Sequence, residues 1–555
     1  MSETGSTAAG SALVAQLKAY GVEHIFCVPG ESYLAVLDAF IDSGLNVTVC
    51  RHEGGAAMMA DAVGRVTGRP GVAFVTRAPG ATNAAVGVHI ALEDASPMIL
   101  FAGQVRRDFQ DRGAWQEMDF AGAFGAMSKW AVEPSKAGRL SEYVARAFHT
   151  ASAGRQGPVV MGLARDLLSE HIRAAPPPPF RPLEISPGAD EISEWAARLK
   201  SAKTPIAILG GSGWTREARD RFAAYAEHHD LPVATSYRRL SLFDSLHPAY
   251  AGDVGLGANP KLIQRIKDAD LVLLLGGRLG EVASQGFSLL PIGEDLPQLA
   301  HVYPDPEEFG RLYSAGLQIC ATPSAFVSAL DDGPPQASGQ ARMAAAHAEY
   351  LAWSEGPAPQ TGPVNLSEIM IWLRANLPTD AFICNGAGGY ASWIHRFFRF
   401  RSFASHVAPT SATMGYGVPA AVAMQRLFPD RCVVAIAGDG DFLMNGQEFA
   451  TAVQYDLPII VIVLDNGSYG SIRMSQEQVY PGRVSATDLR NPDFAAYARA
   501  FGGFGATVES TKDFATAFSE ARASGKPSII HVKYDVDSLT PSMTISGLRR
   551  ASGTD

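Results

Sequence analysis

The sequence predicts an α/β protein with three doubly wound parallel-sheet domains. The chain has 555 residues, which is more than one hydrophobic core usually supports. Near-continuous apolar runs of strand length alternate with segments of helical periodicity, a pattern typical of parallel sheets covered on both faces. Two segments rich in Pro and Gly, 174–187 and 331–363, interrupt this alternation. We therefore expect domains at residues 1–173, 188–335 and 364–545.

Within these domains the apolar pattern predicts individual elements. The first domain should contain helices at 11–20, 33–41, 54–66 and 81–92, with strands at 24–28, 46–50, 71–76 and 97–105. The second should contain strands at 205–209, 231–234, 271–275 and 299–303, and the interrupting segment 331–363 should hold one helix at 341–353.

Composition limits the possible partners and compartments. The chain is 47% hydrophobic and 18% charged, as expected of a globular protein, and its net charge of −10 argues against nucleic acid or an anionic membrane as a partner. The cysteines lack CxxC spacing, which suggests buried thiols in a reducing compartment. We find no signal peptide or apolar span at the N-terminus, so we expect a cytoplasmic protein. The five cysteines are Cys27, Cys50, Cys320, Cys384 and Cys432.

The most informative stretch, 432–470, predicts a βαβ unit. Apolar runs at 432–437 and 458–464 should be parallel strands, so Asp439 and Asn466 should lie just beyond their carboxyl ends, where open α/β sheets bind ligands. Mg²⁺ prefers oxygen ligands, and Asp439, Asn466 and the backbone carbonyl of Ser468 could supply three.

Two glycines flank Asp439 in this stretch. Gly438 and Gly440 would let the backbone approach a diphosphate closely, next to the N–H groups of a helix. A tight turn alone explains a Gly-Asp-Gly sequence equally well. The Asp465-Asn466 pair, which follows residues 441–464 and a second strand, favours the ligand-binding interpretation.

This pairing resembles the signature of the thiamine diphosphate enzymes, in which Gly-Asp-Gly precedes two asparagines. Other stretches, in the same order along the chain, resemble acetolactate synthases. The resemblance implies three doubly wound domains, the first holding the pyrimidine of thiamine diphosphate and the third its diphosphate. It also implies a homodimer or homotetramer with active sites at the subunit interface. The similar stretches are TRAPGATNAAVG (76–87), AGQV (102–105), WQEMD (115–119), SKW (128–130), ATMGYGVPAA (412–421) and GDGDFLMNGQEFAT (438–451).

The same resemblance implies roles for individual residues. Glu53 would place a carboxyl group beside the aminopyrimidine of the cofactor, although alone it fits a helix-start carboxylate. Asn83 would contact the cofactor or stabilise its own turn. Met414 would lie under the cofactor, unless it is an ordinary core methionine, and the carbonyl of Ala412 could accept a hydrogen bond from the 4′-amino group. Further cofactor-binding positions implied are Gly388, Gly389, Gly438, Gly440, Asp441 and Tyr469.

Two turns of the first domain bear candidates for contact with substrate. The resemblance to acetolactate synthases implies that Gly30 corresponds to a position whose backbone N–H lies near the reacting carbonyl in those enzymes. Glu31 could exchange a proton with the bound intermediate or cap the helix beginning near residue 33. Gln116 could donate a hydrogen bond to a substrate carboxylate, or it could be an ordinary polar surface residue.

Some positions depart from the acetolactate synthase pattern. Ser475 stands where those enzymes have a Trp, and Val282 lies near the position of their Arg. Arg473 could replace the lost charge, or it could be solvent-exposed. The GMHG segment that helps to hold FAD is missing, which makes FAD a doubtful cofactor.

The resemblance thus implies thiamine diphosphate- and Mg²⁺-dependent decarboxylation and carboligation of a 2-oxo acid such as pyruvate, as in acetolactate synthases. The alternatives are a related enzyme for another substrate, such as an aldehyde carboligase or an acyloin or 1,2-diketone lyase, and a non-catalytic regulatory homologue. Residues 538–555 could close over the site or be an unstructured terminus.

Overall fold

The computed structural model describes residues 5–173, 176–177, 179–333 and 341–553. Packing divides the chain into two compact units. The first unit comprises residues 1–183, 422–429 and 445–455, and the second comprises 184–421, 430–444 and 456–555. Across the described residues, no helix combines the length and the apolar character needed to cross a membrane.

The first unit is built on a six-stranded, fully parallel sheet with the strand order β3-β2-β4-β5-β7-β6, and β1 pairs antiparallel with β8 beside it. Its central strands are buried on both faces, as their apolar sequences predicted. The strands are β1 Ser6–Ala8, β2 His24–Cys27, β3 Asn46–Val49, β4 Gly71–Val75, β5 Met98–Gln104, β6 Trp130–Val132, β7 Pro158–Ala164 and β8 His171–Arg173.

The helices of the first unit confirm the four that the sequence predicted, with small shifts at their ends. The helix expected at 81–92 begins earlier, because Pro79 in the first turn needs no backbone donor. The helix expected at 54–66 ends before Gly68, which adopts a left-handed conformation. The helices are α1 Ala9–Ala19, α2 Leu34–Ile41, α3 Glu53–Thr67, α4 Ala78–Asp94, α5 Phe120–Phe124, α6 Leu140–Ser152 and α7 Arg165–Ser169.

The second unit contains two further parallel sheets. The first of them has the order β11-β10-β9-β12-β13-β14, and its edge strands β11 and β14 were not predicted. Polar and glycine residues interrupt the apolar runs of both. The strands are β9 Pro205–Leu209, β10 Val233–Ser236, β11 Tyr250–Val254, β12 Leu271–Leu275, β13 Asp295–Tyr303 and β14 Ser314–Cys320. The helices are α8 Ala189–Ser201, α9 Arg216–His228, α10 Pro260–Lys267, α11 Pro323–Ala329 and α12 Ala341–Ser354, the last matching the prediction at 341–353.

The third sheet has the order β16-β15-β17-β18-β20-β19 and is also parallel. Its strands are β15 Phe382–Asn385, β16 His406–Val407, β17 Val433–Gly438, β18 Ile460–Asp465, β19 Phe504–Val508 and β20 Ser528–Lys533, followed by the antiparallel ribbon β21 Ser538–Thr540 and β22 Met543–Thr544. The helices of this part of the chain are α13 Leu366–Asn376, α14 Ala391–Phe397, α15 Gly417–Leu427, α16 Asp439–Asn445, α17 Phe449–Gln454, α18 Gly470–Val479, α19 Phe494–Ala500, α20 Phe514–Ala523 and α21 Ile545–Ser552.

The predicted βαβ unit is confirmed, with one refinement. Strands β17 and β18 pair in parallel from Val434–Ile460 to Gly438–Leu464, so Asp439 and Asn466 follow their carboxyl ends as expected. The crossover consists of two short helices, α16 and α17, because Asn445 leaves the helical conformation and a 3₁₀ turn at Gly446–Glu448 intervenes.

Residues 176–177 and 179–187 contain neither helix nor strand, while 174, 175, 178 and 334–340 lie outside the described residues. All five cysteines are free. Cys27, Cys50 and Cys384 are buried as predicted, whereas Cys320 and Cys432 are partly exposed, which corrects the prediction for those two. The domain boundaries at 1–173, 188–335 and 364–545 stay a prediction.

Candidate functional site

Glu53 lies at the first position of α3, four residues beyond the last residue of β3 that pairs with β2. His52 caps the helix, its Nδ1 accepting a hydrogen bond of 3.0 Å from the Gly54 N–H. The Asn83 amide, on α4, donates to Glu53 Oε2 at 2.9 Å. Gly80, also on α4, leaves the space that the carboxyl needs, since a Cβ there would lie 3.2 Å from Glu53 Oε1. The structure therefore brings Glu53 and Asn83 together.

A second carboxylate, Glu448, supports the turn that carries Glu53. Its side chain is fully buried in the first unit, and Oε1 accepts hydrogen bonds from the backbone N–H groups of Arg51, at 3.0 Å, and His52, at 2.9 Å. Thr451 Oγ1 donates to Oε2 at 2.6 Å. A Cβ at Gly55 would lie 2.5 Å from Glu448 Oε1, so glycine is required there. Burial raises the pKa of Glu448. Sequence reasoning missed this residue, although it lies within the matched stretch 438–451.

Gly30 and Gln116 lie beside neighbouring turns of the same sheet. A Cβ at Gly30 would lie 2.5 Å from Thr76 Cβ, so the turn after β2 touches the end of β4. Gln116 adopts a left-handed conformation, with φ of 63°, and its carbonyl accepts a hydrogen bond from the Ala78 N–H at the start of α4. Glu31 is exposed within the 3₁₀ turn Glu31–Tyr33. No side chain of the described residues caps α2, so the capping alternative for Glu31 is wrong.

In the second unit, Asp439 is almost fully buried at the end of β17. Its carboxylate accepts hydrogen bonds from the Gly440 N–H at 2.9 Å and from Asn491 Nδ2 at 2.7 Å. The same Asn491 amide donates to Asp465 Oδ1 at 2.8 Å, and His531 Nε2 lies 2.8 Å from Asp465 Oδ2. Asn491 therefore bridges the two carboxylates.

The environment shifts the pKa values of these two carboxyl groups in opposite directions. Burial raises the pKa of Asp439. Burial acts in the same direction at Asp465, but hydrogen bonds from His531, Asn491 and the Gly467 N–H outweigh it and lower the pKa of that group. Sequence reasoning identified Asp439 but missed Asn491 and His531, which no local motif marks.

Asn466 and Ser468 lie in the loop after β18. Asn466 Oδ1 accepts a hydrogen bond from the Ser468 N–H at 3.1 Å, and Ser468 Oγ donates to the Thr487 carbonyl at 3.0 Å. Asp439, Asn466 and Ser468 line one cavity of about 430 Å³. One carboxylate, one amide and backbone oxygens around a cavity are a donor set that fits Mg²⁺ when an anionic ligand supplies the remaining oxygens.

The residues that the resemblance assigned to the cofactor in the third domain line the same cavity. Met414 is only partly buried, so it is not an ordinary core methionine. The ring of Tyr469 covers Gly440, where a Cβ would lie 2.5 Å from Cε1 of the ring. Burial raises the pKa of Asp441 to about 6, and its oxygens accept hydrogen bonds from the Tyr390 hydroxyl and the Gly415 N–H, both at 2.6 Å. The assigned residues that line the cavity are Gly388, Gly389, Ala412, Met414, Gly438, Gly440, Asp441 and Tyr469.

The positions that depart from the acetolactate synthase pattern fall in different places. Val282 lines the cavity, whereas Ser475 is exposed and donates a hydrogen bond to the Ser471 carbonyl. The Arg473 side chain is only 14% exposed and forms ion pairs with Glu477 and Asp488, so its interpretation as a solvent-exposed residue is wrong.

The C-terminal segment also contributes to the cavity. Residues 539–543 line it, which agrees with the expectation that the segment closes over the site. Helix α21 is anchored by Arg549, whose guanidinium donates to the buried Glu477 carboxylate at 2.6 and 3.0 Å. The alternative of an unstructured terminus is therefore wrong for residues 538–553.

These features define a class of protein. Parallel α/β sheets bind ligands beyond the carboxyl ends of their strands, and in the second unit that region combines oxygen donors and glycine turns around a cavity. The chain has the features of an α/β protein with a ligand-binding cavity at the carboxyl ends of its strands.

Comparison with known proteins identifies the family. Three thiamine pyrophosphate enzyme family models match: the N-terminal TPP binding domain at residues 7–123, the central domain at 192–330 and the C-terminal TPP binding domain at 386–532. The chain is 30% identical to the acetolactate synthase of Bacillus subtilis, over 93% of this chain and 91% of the relative. It is 29% identical to acetolactate synthase isozyme 2 large subunit of Escherichia coli, over 94% and 95%. The chain belongs to the thiamine pyrophosphate (thiamine diphosphate) enzyme family and is a homologue of the acetolactate synthases.

Proposed function

We propose that this protein decarboxylates a 2-oxo acid such as pyruvate and ligates the product to a second carbonyl compound, using thiamine diphosphate and Mg²⁺. The observation that carries the proposal is the cavity of the second unit, which Asp439, Asn466, Ser468, Ala412 and Met414 line together. The homology to acetolactate synthases supports the same reaction class.

The second unit would hold the cofactor. Asp439, Asn466 and the Ser468 carbonyl would bind Mg²⁺, and Asn491 would orient the Asp439 carboxylate through its 2.7 Å hydrogen bond. Met414 and Ala412 would contact the cofactor, together with the glycine turns that line the cavity. When bound, thiamine diphosphate supplies a nucleophilic carbon and an electron sink for decarboxylation.

The first unit would supply the groups that act on protons and oxygens. Glu53 would hold a proton at its carboxyl group beside the aminopyrimidine, with Asn83 and Glu448 fixing its position. Gly30 would contribute a backbone N–H near the reacting carbonyl, and Gln116 would donate a hydrogen bond to substrate oxygens. Glu31, being exposed, is free to exchange a proton with substrate.

We also propose a homodimer or homotetramer with active sites between subunits, because the pyrimidine and diphosphate positions fall on different units. Light scattering on the purified protein measures the assembly state. A monomer that retains full activity at nanomolar concentration would contradict this arrangement.

Product analysis tests the proposed reaction. The protein is incubated with pyruvate, Mg²⁺ and thiamine diphosphate, and products are identified by NMR. Acetolactate is expected, with loss of activity after chelation and recovery on adding Mg²⁺. Acetaldehyde alone would limit the reaction to decarboxylation, and consumption of neither pyruvate nor another 2-oxo acid would refute the proposal. Flavin absorbance of the same sample tests the doubt about FAD, which stoichiometric flavin would overturn.

A second candidate, a related enzyme with a different substrate, is favoured by two positions. Val282 presents an apolar side chain to the cavity, and Ser475 is exposed outside its lining. The purified protein should therefore be offered aldehydes, acyloins and 1,2-diketones in parallel with pyruvate. Turnover of one of these with kcat/KM at least tenfold above that for pyruvate would select this candidate.

A further inference from the structure

A buried carboxylate in the second unit joins two turns of the cavity wall. Asp441, the third residue of α16, is almost fully buried. Its Oδ2 accepts a hydrogen bond of 2.6 Å from the Tyr390 hydroxyl, and its Oδ1 accepts one of 2.6 Å from the Gly415 N–H. A Cβ at Gly386 would lie 2.2 Å from Oδ1, so the turn after β15 packs directly against the same carboxylate. Asp441 therefore holds together two turns that come from different parts of the chain.

Arg238 connects the sheet β9–β14 to these turns. It lies two residues after β10, is almost fully buried and adopts a left-handed conformation, with φ of 61°. Its Nη2–H donates to the Gly386 carbonyl at 2.8 Å, and its guanidinium carbon lies 5.2 Å from the centroid of the Tyr237 ring. Burial of a guanidinium and a left-handed backbone both cost free energy, so the contacts of Arg238 must offset that cost.

The opposite charges of Asp441 and Arg238 matter because both residues line the cavity proposed to hold an anionic cofactor. Burial raises the pKa of Asp441, and the positive charge of Arg238 acts against that rise. A carboxylate alone in the cavity wall would repel the phosphate groups of the ligand, and a neighbouring guanidinium offsets this repulsion. An ionised carboxylate, moreover, has no hydrogen to donate to a phosphate oxygen.

We propose that Arg238 and Asp441 are positioning residues whose opposite charges allow the cavity to accept an anionic ligand. Asp441 holds the two turns through its hydrogen bonds, and Arg238 supplies the compensating charge while it holds the Gly386 carbonyl. The inference rests on the proposed function for the identity of the ligand, the diphosphate of thiamine diphosphate. It gives Asp441 a supporting role in place of the direct cofactor contact that the resemblance implied.

Calorimetry at fixed Mg²⁺ with thiamine monophosphate and thiamine diphosphate tests the charge compensation. Arg238→Met should weaken binding of the diphosphate about 10- to 100-fold, because the Asp441 charge is then uncompensated. The loss should be smaller for the monophosphate, which carries less negative charge. Arg238→Met combined with Asp441→Asn removes both charges and should restore affinity to within about fivefold of the wild type. Arg522→Met, which removes an exposed guanidinium on α20, is the matched control and should change nothing.

Asp441→Asn alone gives a result of opposite sign. The amide oxygen can accept from the Gly415 N–H, and the amide nitrogen can donate to the Tyr390 hydroxyl, so both contacts survive without the negative charge. The Arg238 charge is then in excess, and thiamine diphosphate should bind about 3- to 10-fold more tightly than to the wild type. Weaker binding would show that Asp441 contacts the cofactor directly and would overturn the proposal.

Hydrogen exchange without ligand tests the positioning role separately. Asp441→Ala should raise the exchange rate of the Gly415 amide about 10- to 100-fold, whereas Asp441→Asn should keep it within about threefold. Unchanged exchange in the alanine variant, an equal loss for both thiamine phosphates in Arg238→Met or no recovery in the double variant would each contradict the proposal. A wild type that binds no thiamine diphosphate would refute the proposed function instead, and the exchange of Gly415 would still decide whether Asp441 holds the turns.

Discussion

The sheet formed by β2–β7 and the sheet formed by β15–β20 share one topology. When the strands of each sheet are numbered in chain order, they lie side by side in the order second, first, third, fourth, sixth, fifth. The carboxyl edges of the two sheets nevertheless carry different chemistry. In the first sheet a glutamate, Glu53, follows the second strand and receives a hydrogen bond from one amide, Asn83. In the other, Asp439 and Asp465 lie at the ends of the third and fourth strands and share Asn491. Topology therefore determines where a site can form, and the loop residues determine what it can bind.

The two units also differ in the carboxylates that support these edges. Glu448 accepts hydrogen bonds from backbone N–H groups and one hydroxyl, and burial raises its pKa. The Glu477 side chain is equally buried. Its carboxylate accepts hydrogen bonds from the guanidinium groups of Arg549 and Arg473, which lower its pKa to about 2. Backbone N–H donors hold a carboxylate in place without neutralising its negative charge, whereas paired guanidinium groups hold the carboxylate in place and also neutralise its charge.

The largest effect is expected from replacing Glu53, which lies at the carboxyl edge of the sheet β2–β7. Glu53→Gln should lower kcat by about 10²- to 10⁴-fold, because the amide cannot hold or release the proton. Affinity for thiamine diphosphate should stay within about twofold in calorimetry, since the amide oxygen still accepts from Asn83. Glu23→Gln, at an exposed position before β2, is the matched control. An unchanged kcat would remove Glu53 from the catalytic role.

The second largest effect is expected from replacing Glu448, whose carboxylate holds the turn before Glu53. Glu448→Ala should lower the free energy of local opening at the Arg51 and His52 amides by about 1–3 kcal/mol, because two N–H groups lose the acceptor of their partly buried hydrogen bonds. Glu448→Gln retains the Oε1 acceptor and should cost about 1 kcal/mol or less. Hydrogen exchange of these two amides measures both variants. Equal protection in the alanine variant would show that Glu448 does not hold the turn.

A smaller effect is expected from replacing Asn491, at the carboxyl edge of the sheet β15–β20. Asn491→Ala removes the amide shared by Asp439 and Asp465, and it should weaken Mg²⁺-dependent binding of thiamine diphosphate by about 10- to 100-fold. Calorimetry at fixed Mg²⁺ measures the change, and Asn376→Ala, at an exposed position on α13, is the control. If both variants bind the cofactor as the wild type does, Asn491 has no part in the metal site.

The smallest effect is a pH dependence of opposite sign in the two regions. The folded chain keeps the Glu448 proton to higher pH than the unfolded chain does, so the free energy of unfolding should fall as pH rises from about 4.5 through the raised pKa. The contribution of Glu477 should be complete above about 4.5 and be lost as pH falls towards about 2. Hydrogen exchange at the Arg51 turn and at helix α21 measures the two slopes. Glu448→Gln should flatten only the first slope and Glu477→Gln only the second, and a slope that survives its own substitution would contradict the assignment.

Much of the fold could be predicted because its signals are local. Buried strands with uninterrupted apolar sequence, such as β12 and β18, were found, although β7, which is apolar and equally buried, was not predicted. The edge strands β11 and β14 were missed because their alternating or glycine-containing sequences resemble loops. The break between α16 and α17 was also missed, since apolar periodicity continues across it.

The sequence by itself determined the α/β class, the glycine turns and the oxygen donors at the carboxyl edges, because each depends on residues adjacent along the chain. Only the tertiary structure decided that Glu448 supports the turn before Glu53, that Asn491 bridges two carboxylates and that Arg238 donates to the Gly386 carbonyl. These contacts join residues far apart in the sequence. Buried donors, acceptors and charges need partners, and packing, rather than any local pattern, determines which partner is within reach.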